Sequence, residues 1–432
     1  MQKTTDQHNI ILIGIDTLRA DHLGCYGYHR PTSPAIDALA KESVLFENCF
    51  SQAPITAPSF MSIMTSRYPT YHGVVSNIGG TGRGGRMYVL DQNIPTMAEI
   101  LKKEGYVTGA FTDGGNLYGK LGFDRGFEYY SMNLKYEFQM PGIIPKDEIF
   151  KWLESNSSKK FYLFFHTFAV HNPWAVPNKY LKIFDHNYNG KLLVSQLLMD
   201  KLKRPGRSPR VPFLEIVDKE DKKDIDYLKA IYDSAVRYVD DFVGELLAFL
   251  EKLKIDKNTI IVFTADHGEE FLEHGILGHK QFYNELLHVP LIIKAPGFKE
   301  FVKINDEIQS IDIMPTVLDL LNIRNIAPIH GMSLISPRSR DNEPITLAEA
   351  QGLGYAIRYK KYKYIFPAYK SYKVREDELY DLEKDPSENN NIALQNLDIV
   401  EEMLCRREHE LYSRVTLPHP RRKIIYLEHP FT

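Results

Sequence analysis

TIIVFTADHG, residues 259–268, is a strand-length apolar run that ends on an acid, an imidazole and a glycine. NIILIGID, residues 9–16, repeats the pattern: six largely β-branched or apolar residues closing on a carboxylate. Short runs of this kind, too apolar to alternate, are what strands buried on both faces require. In open α/β sheets ligands collect where strands end. Asp16, Asp266 and His267 therefore become candidate ligands of one divalent ion, since carboxylates and an imidazole suit such an ion. Asp16 alone reads equally well as a cap on the next element. A bulky polar pair between a buried strand and Gly268 is harder to explain without a function.

Working outward, strand-like runs recur at 44–50, 106–111, 161–165 and 289–294. Helix-period segments lie between and around them at 33–42, 58–65, 96–103, 147–154, 224–252 and 311–321. This alternation predicts an α/β sandwich, with helices on both faces of a central, mostly parallel sheet. Within 224–252, Leu228, Ile231, Ala235, Tyr238, Val239, Phe242, Leu246 and Leu250 fall at helical spacing and predict a core-packing amphipathic helix. Residues 177–222 read as an irregular insertion carrying the basic stretch KLKRPGRSPR (201–210), either a solvated loop or a substrate lid. Beyond the charged linker RSRDNE (338–343), tyrosine-rich strands at 345–348, 355–359, 362–366 and 379–380 predict a small antiparallel sheet. Gly352, Gly354 and Lys360-Lys361 mark its turns. The expected division is a main domain over 1–340 and a C-terminal subdomain over 341–432, whose tail from 401 begins helical and ends extended.

At 432 residues the chain exceeds the roughly 250–300 at which one core stops growing. Its 43% hydrophobic and 25% charged residues exclude disorder as the main state. With 53 Lys+Arg against 56 Asp+Glu, the net charge of -3 gives no electrostatic case for a nucleic-acid or anionic-membrane partner. Cys25, Cys49 and Cys405 are spaced for neither a disulfide framework nor a zinc cluster, which points to a reducing, cytoplasmic compartment. The polar start MQKTTDQHN leads into an apolar run too short for a signal segment. No stretch approaches the ~18 apolar residues of a membrane span. A homo-oligomer is compatible with the composition.

APITAPSFMSIMTSRYPTYHGV, residues 53–74, supplies a third chemical element. Pro58 suits the first turn of a helix running to Thr65. Thr56 would then sit at a helix N-terminus, where free amides and the helix dipole favour an anion or an alkoxide. Threonine at such a place is commonly an N-cap. Facing two strand-end acids and a metal, it is a nucleophile candidate.

With these segments in place the chain resembles the sulfatase-like branch of the alkaline phosphatase superfamily. The resemblance is carried by IDTLRADHLGCYGY (15–28), TAPSFMSIMTSRYPTYHGV (56–74), GYVTGAF (105–111) with GFDRGFEYY (122–130), and AVHNPW (169–174). It continues through RYVDDFVGELL (237–247), FTADHGEEFLEHGILGHKQFYNELLHVPLIIKAPG (263–297) and ELYDLEKDPSENNNIA (378–393). It implies an alkaline-phosphatase-like fold and a metal-dependent ester hydrolase.

Departures from the family pattern bear on the chemistry. True sulfatases begin their motif with a Cys or Ser oxidised to formylglycine and follow Pro-Ser with Arg; here those positions hold Thr56 and Phe60. Threonine oxidation yields only a ketone, so no aldehyde hydrate can form, and Cys49 lacks the motif's proline. The sulfatase Asp-Asp pair is Asp16-Thr17, the usual Lys and His are missing from TDGGN (112–116), and His279 stands where many sulfatases carry lysine. The resemblance to threonine-nucleophile members implies Asp16, Thr56, Asp266 and His267 as the metal shell. Their imidazole moves the preference toward manganese or zinc, with calcium still allowed. His171 and His279 would contact the transferred group or protonate the leaving alcohol, although structural roles suit each as well. Asn77 and Asn116 would contact substrate oxygens, whereas Arg67, His72, Glu273 and His274 read as structural. The expected activity is hydrolysis of phosphate mono- or diesters or phosphonates of a small molecule or glycan through a phosphothreonine. The alternatives are a sulfatase, a phospho-group transferase and a non-catalytic binding protein.

Overall fold

In a computed structural model, residues 8–78, 86–132, 143–190 (without 173, 175, 178, 182 and 185–187), 221–324 (without 299), 327–335, 344–367, 377–413 and 423–426 are described. The basic stretch 201–210 and the linker 338–343 lie outside them.

β1 (Asn9–Ile15) is buried along its whole length, as its uninterrupted apolar sequence requires of a strand covered on both faces. The chain then forms β2 (Val44–Phe50), β3 (Arg86–Val89), β4 (Val107–Thr112), β5 (Tyr129–Met132), β6 (Phe161–Thr167) and β7 (Thr259–Ala265). β8 (Glu270–Phe271) and β9 (Leu277–Gly278) make a two-residue ladder before β10 (His288–Lys294) and β11 (Val302–Gln309). The main sheet has eight strands in the order β11-β2-β10-β7-β1-β6-β4-β5.

Seven of these strands run one way, and β10 runs antiparallel to both β7 and β2. The expectation of a parallel strand at 289–294 is corrected by the connection that precedes it. Between β7 and β10 the described chain makes only the β8–β9 ladder and one turn of helix, with no crossover helix to carry it to the far end, so the strand must return. The edge strands β5 and β11 also escaped the pattern. β11, VKINDEIQ, is exposed over much of its length, and charge on such an edge discourages pairing with another chain.

The helices are α1 (Pro34–Ala40), α2 (Thr56–Thr65), α3 (Pro69–His72), α4 (Met97–Lys103), α5 (Lys146–Asn156), α6 (Lys222–Lys252), α7 (Asn284–Leu287), α8 (Ile313–Leu320) and α9 (Leu397–Ser413). Successive residues of β6 assign two of them to opposite faces: Phe164 meets Phe60 of α2 at 5.7 Å, and Phe165 meets Phe242 of α6 at 4.7 Å. α6 buries seven of its eight expected core residues, with Tyr238 half-buried. It also turns Asp240 toward α1, whose Ala35 and Ile36 amides donate to that carboxylate.

The tyrosine-rich segment forms β12 (Ile345–Ala350), β13 (Gly354–Tyr359), β14 (Tyr362–Pro367) and β15 (Glu378–Asp381), an antiparallel sheet in that order. Lys360, at φ 55°, makes the tight turn between β13 and β14. Ile345, Leu347, Ile357, Tyr364 and Leu379 pack with Met403 and Leu411 of α9. β16 (Lys423–Tyr426) returns to pair with β3. Among the described residues no helix is long and apolar enough to cross a membrane.

Candidate active site

Register makes the site. β1 and β7 run parallel with Ile15 beside Ala265, so the next residues, Asp16 and Asp266, emerge side by side at the sheet's edge. Asp16 N donates to Thr167 O at 3.1 Å, holding that turn against β6. Asp266 Oδ1 accepts the amides of Thr17 (3.0 Å) and His267 (2.8 Å), which leaves Oδ2 for other work. His267 Nδ1 donates to Gly268 O at 2.9 Å, so its Nε2 is the free ring atom, 3.4 Å from Asp266 Oδ2. Position 268 must be glycine, because a Cβ there would lie 1.9 Å from the Glu285 carbonyl oxygen.

α2 begins at Thr56, two residues before the sequence pattern predicts, so Ile55 occupies the N-cap position and the Thr56 hydroxyl is not spent on capping. Ser59 Oγ donates to Asp266 O at 2.7 Å and docks the helix on the β7 edge. Ala57 N, one of the helix's free amides, donates to Asn77 Oδ1 at 2.8 Å. Asp266 Oδ2 and His267 Nε2 are buried without a protein hydrogen-bond partner, and the Asp16 carboxylate and the Thr56 hydroxyl, also buried, have none but each other. One ligand atom each from Asp16, Asp266 and His267 lies within 4.8 Å of the others. Orphaned buried polar atoms are costly and rare. Two carboxylates and a neutral imidazole sharing that condition fit a divalent cation.

The electrostatics agree. Burial, and then the charges of Asp266 and Glu269, hold Asp16 well above the usual carboxylate range. Burial pushes Asp266 up to about 7 against the pull of the Thr17 and His267 amides. Burial drives His267 well below its ordinary value, which keeps it neutral and able to ligate. The two carboxylate shifts have the sign that a nearby cation would reverse.

The other expected residues gather less tightly. His279 sits with its ring 4.6 Å from that of His267 and 5.0 Å from that of His171. Burial, the largest single influence, opposes its protonation, but the charge and hydrogen bond of Glu269, Oε1 at 3.2 Å from Nδ1, together with the charge of Asp266, raise His279 above its ordinary value. His171 Nδ1 donates to Asn172 O at 2.5 Å. Asn116 Oδ1 accepts the Ile78 amide at 3.3 Å, so Asn77 and Asn116 both spend their oxygens on backbone and keep their NH2 groups for other contacts.

Sequence reasoning missed Glu269, although a second acid inside HGEE beside a strand-end ligand was a usable signal. It also missed His166, buried on β6 with Nε2 3.5 Å from Asp16 Oδ2 and held neutral, at about 3, by burial. The departures from the family pattern have structural occupants. Phe60 is fully buried against Phe164 and His166, and Gly14 makes room for it, since a Cβ there would lie 2.5 Å from the ring. Asp113 of TDGGN accepts Thr167 Oγ1 (2.7 Å) and Phe168 N (2.8 Å), fixing the end of β6. Thr17 takes φ 57°, costly for a β-branched residue, and is held there by Asp266 and by Tyr232, whose hydroxyl donates to Thr17 O at 2.7 Å.

Arg67 and His72 are buried in the motif's second half. Burial lowers them to about 10 and about 3, and His72 Nδ1 accepts the Val74 amide. Glu273 pairs with Arg19 and Lys229. A second acid-and-histidine set, His274, Glu285 and Glu388, already holds a cation of its own: Lys363 Nζ lies 2.6 Å from Glu388 Oε1, both side chains fully buried.

Comparison with known proteins follows the same lines. The profile of the sulfatase family matches residues 8–323, and that of the N-sulphoglucosamine sulphohydrolase C-terminal region matches 272–412. Arylsulfatase K of Canis lupus familiaris is 26% identical over 442 residues, covering 89% of this chain and 79% of its own. A phosphonate monoester hydrolase of Agrobacterium radiobacter superposes with a TM-score of 0.72 at 21% identity, covering 94% of this chain and 96% of its own. A structure in complex with its substrate D-glucosamine-2-N,6-O-disulfate superposes at 0.76 and 22% identity, covering 94% and 98%.

Proposed function

The chain belongs to the sulfatase family, a family of ester hydrolases, and from that premise we propose that it cleaves phosphorus esters through Thr56. The observation that carries this reading is the buried Thr56 Oγ1 in the first turn of α2, spent on no cap and facing the strand-end carboxylate of Asp16. Asp16, Thr56, Asp266 and His267 would hold a divalent cation. When bound, the cation supplies positive charge to the nucleophile and to the equatorial oxygens of the transferred group. The imidazole in the set favours manganese or zinc over calcium.

Thr56 Oγ1 passes its proton to Asp16, the carboxylate it hydrogen-bonds, as it bonds to phosphorus; the bond from phosphorus to the alcohol oxygen breaks, and the alcohol departs with a proton from His279 Nε2. Glu269 orients that acid by accepting from Nδ1. His171 lies against the same acid, its ring 5.0 Å from that of His279. The NH2 groups of Asn77 and Asn116 orient the equatorial oxygens. In the second displacement water attacks phosphorus, His279 takes its proton, and Thr56 leaves as the free hydroxyl with the proton that Asp16 returns.

Phosphorus is favoured over sulfur because a threonine ester cannot be expelled by elimination from an aldehyde hydrate; water must displace it. A phosphoryl group in that step carries more negative charge and gains more from a cation. The esterified molecule is a small molecule or a glycan. Sulfate ester hydrolysis is the second reading, supported by the sulfatase names of the relatives. The test is kcat/KM on matched nitrophenyl phosphate, phosphodiester, phosphonate and sulfate after reconstitution with manganese, zinc or calcium. A phosphorus ester turned over fastest with manganese or zinc is expected. A clear preference for sulfate would overturn the reading.

A further inference from the structure

A cavity of about 240 Å3 lies where α3 and the segment after it meet the C-terminal sheet and α9. Its position follows from backbone hydrogen bonds. Glu349 N donates to Gln52 O at 2.8 Å, four residues before Thr56. Gln351 N donates to Val75 O at 2.9 Å, two residues before the asparagine that holds the start of α2. These ties set the cavity against the segments that flank the start of α2, and it shares no residue with the candidate active site.

Its walls have a distinct chemistry. Tyr355 of β13 and Phe366 of β14 are cross-strand partners with ring centroids 5.1 Å apart and planes 19° apart. The Arg407 guanidinium lies 4.1 Å from the Tyr355 ring centre, and Phe366 remains 38% exposed. Beside this stack, Glu349 accepts the Thr70 amide with Oε1 and faces Arg407 with Oε2 at 3.8 Å. Arg407 Nε is buried with no protein acceptor. Gln351 is exposed at the rim. An aromatic platform ringed by a carboxylate, a primary amide and a guanidinium matches a pyranose, whose C–H face stacks on a ring while its hydroxyls bridge the polar groups. The volume falls below the ~300–1,000 Å3 of drug-sized sites, which suits one sugar ring. Glu349 disfavours an anion, so the transferred phosphoryl group is not the occupant.

We propose that this cavity binds a neutral or amino pyranose ring belonging to the unreacting part of the ester substrate. The proposal rests on the ester-hydrolase reading only for the identity of the molecule that carries the ring. Binding is tested without turnover, by titrating N-acetylglucosamine, glucosamine and N,N′-diacetylchitobiose by calorimetry into the full chain carrying Thr56→Ala and a divalent cation. The same titration follows with Phe366→Ala or Gln351→Ala added, and with Leu394→Ala, on an exposed residue elsewhere, as control. The expected result is saturable saccharide binding, weakened at least tenfold by Phe366→Ala and severalfold by Gln351→Ala, and kept by Leu394→Ala. Because Phe366 and Gln351 are exposed, all variants should melt at nearly the parent temperature. No saturable binding, or binding that neither cavity variant changes, would overturn the proposal whatever the fate of Thr56. Loss of binding in Phe366→Ala would support it even if the protein proved to act on sulfate.

Discussion

In the proposed reaction Glu269 acts through His279. Glu269 is nearly fully buried and accepts from His279 Nδ1, and its charge and hydrogen bond, together with the charge of Asp266, more than offset the desolvation that would neutralise the ring. Glu269→Gln keeps the shape and removes the charge. The expected loss is about 10–100-fold in kcat/KM, which reports the first displacement, for esters of poorly acidic alcohols, in the range of other residues that orient a working histidine. Nitrophenyl esters, whose leaving group needs no proton, should lose far less. Steady-state kinetics on the two ester classes would check it, and equal losses on both would mean that His279 is not the acid. Asp16, Asp266 and His267 were legible in the sequence because each follows a strand-length apolar run, and strand ends converge. Glu269 and His166 were not, because their importance comes from burial and from a neighbour brought close only by the fold.

The segment from 268 to 287 is the element on which the site leans. It carries His279, and Glu270 is tied to Gln281 at 3.1 Å across the small ladder of β8 and β9. Burial pushes Glu270 up from 4.5 to about 8. A carboxyl raised on folding contributes stability that is fully present below the unfolded value, near 4.5, and is lost as pH rises through about 8. Glu270→Gln, neutral throughout, should become more stable relative to the parent as pH climbs through that window, by at most about 1.4 kcal/mol for each pH unit crossed. Thermal unfolding of both proteins from about pH 5 to 9 would show the gap opening; parallel curves would contradict it. The reversal of β10 belongs to this element too. The apolar pattern of 289–294 located the strand, but direction is set by the connection, and a link without a crossover helix looks in sequence like any other loop. The early start of α2 was hidden for a related reason, since Thr56 reads in sequence as the cap itself and the Ala57 amide finds its acceptor only when Asn77 arrives from another segment.

Across the whole molecule, the C-terminal sheet is fastened to that same segment by charge. Lys363 and Glu388 pair at 2.6 Å in full burial, Asn284 N donates to Glu388 Oε2, and Lys363 and Arg358 both reach Asn284 Oδ1. Lys363→Met alone should cost about 3–5 kcal/mol by leaving Glu388 buried and unpaired, while adding Glu388→Leu should recover much of the loss. Denaturant unfolding of the single and double variants measures it, and a double variant as unstable as the single would contradict it. The small sheet itself was visible in its tyrosine-rich runs; its attachment was not, because Lys363 and Glu388 read in sequence as surface charges. The aromatic cavity beside α2 depends on the same docking, so the reacting group and the rest of the substrate would be held by different parts of one body.

Covalent attachment of the transferred group to Thr56 is the step on which the proposed chemistry stands. It is tested most directly by acid-quenching the manganese- or zinc-loaded protein within milliseconds of mixing with a phosphonate or phosphodiester and mapping the added mass by peptide mass spectrometry. The expected result is a phosphoryl or phosphonyl adduct on Thr56 that forms before the steady state and is absent from Thr56→Ala, which should turn over nothing. Burst-free turnover with no modified Thr56, and with activity kept in Thr56→Ala, would contradict it.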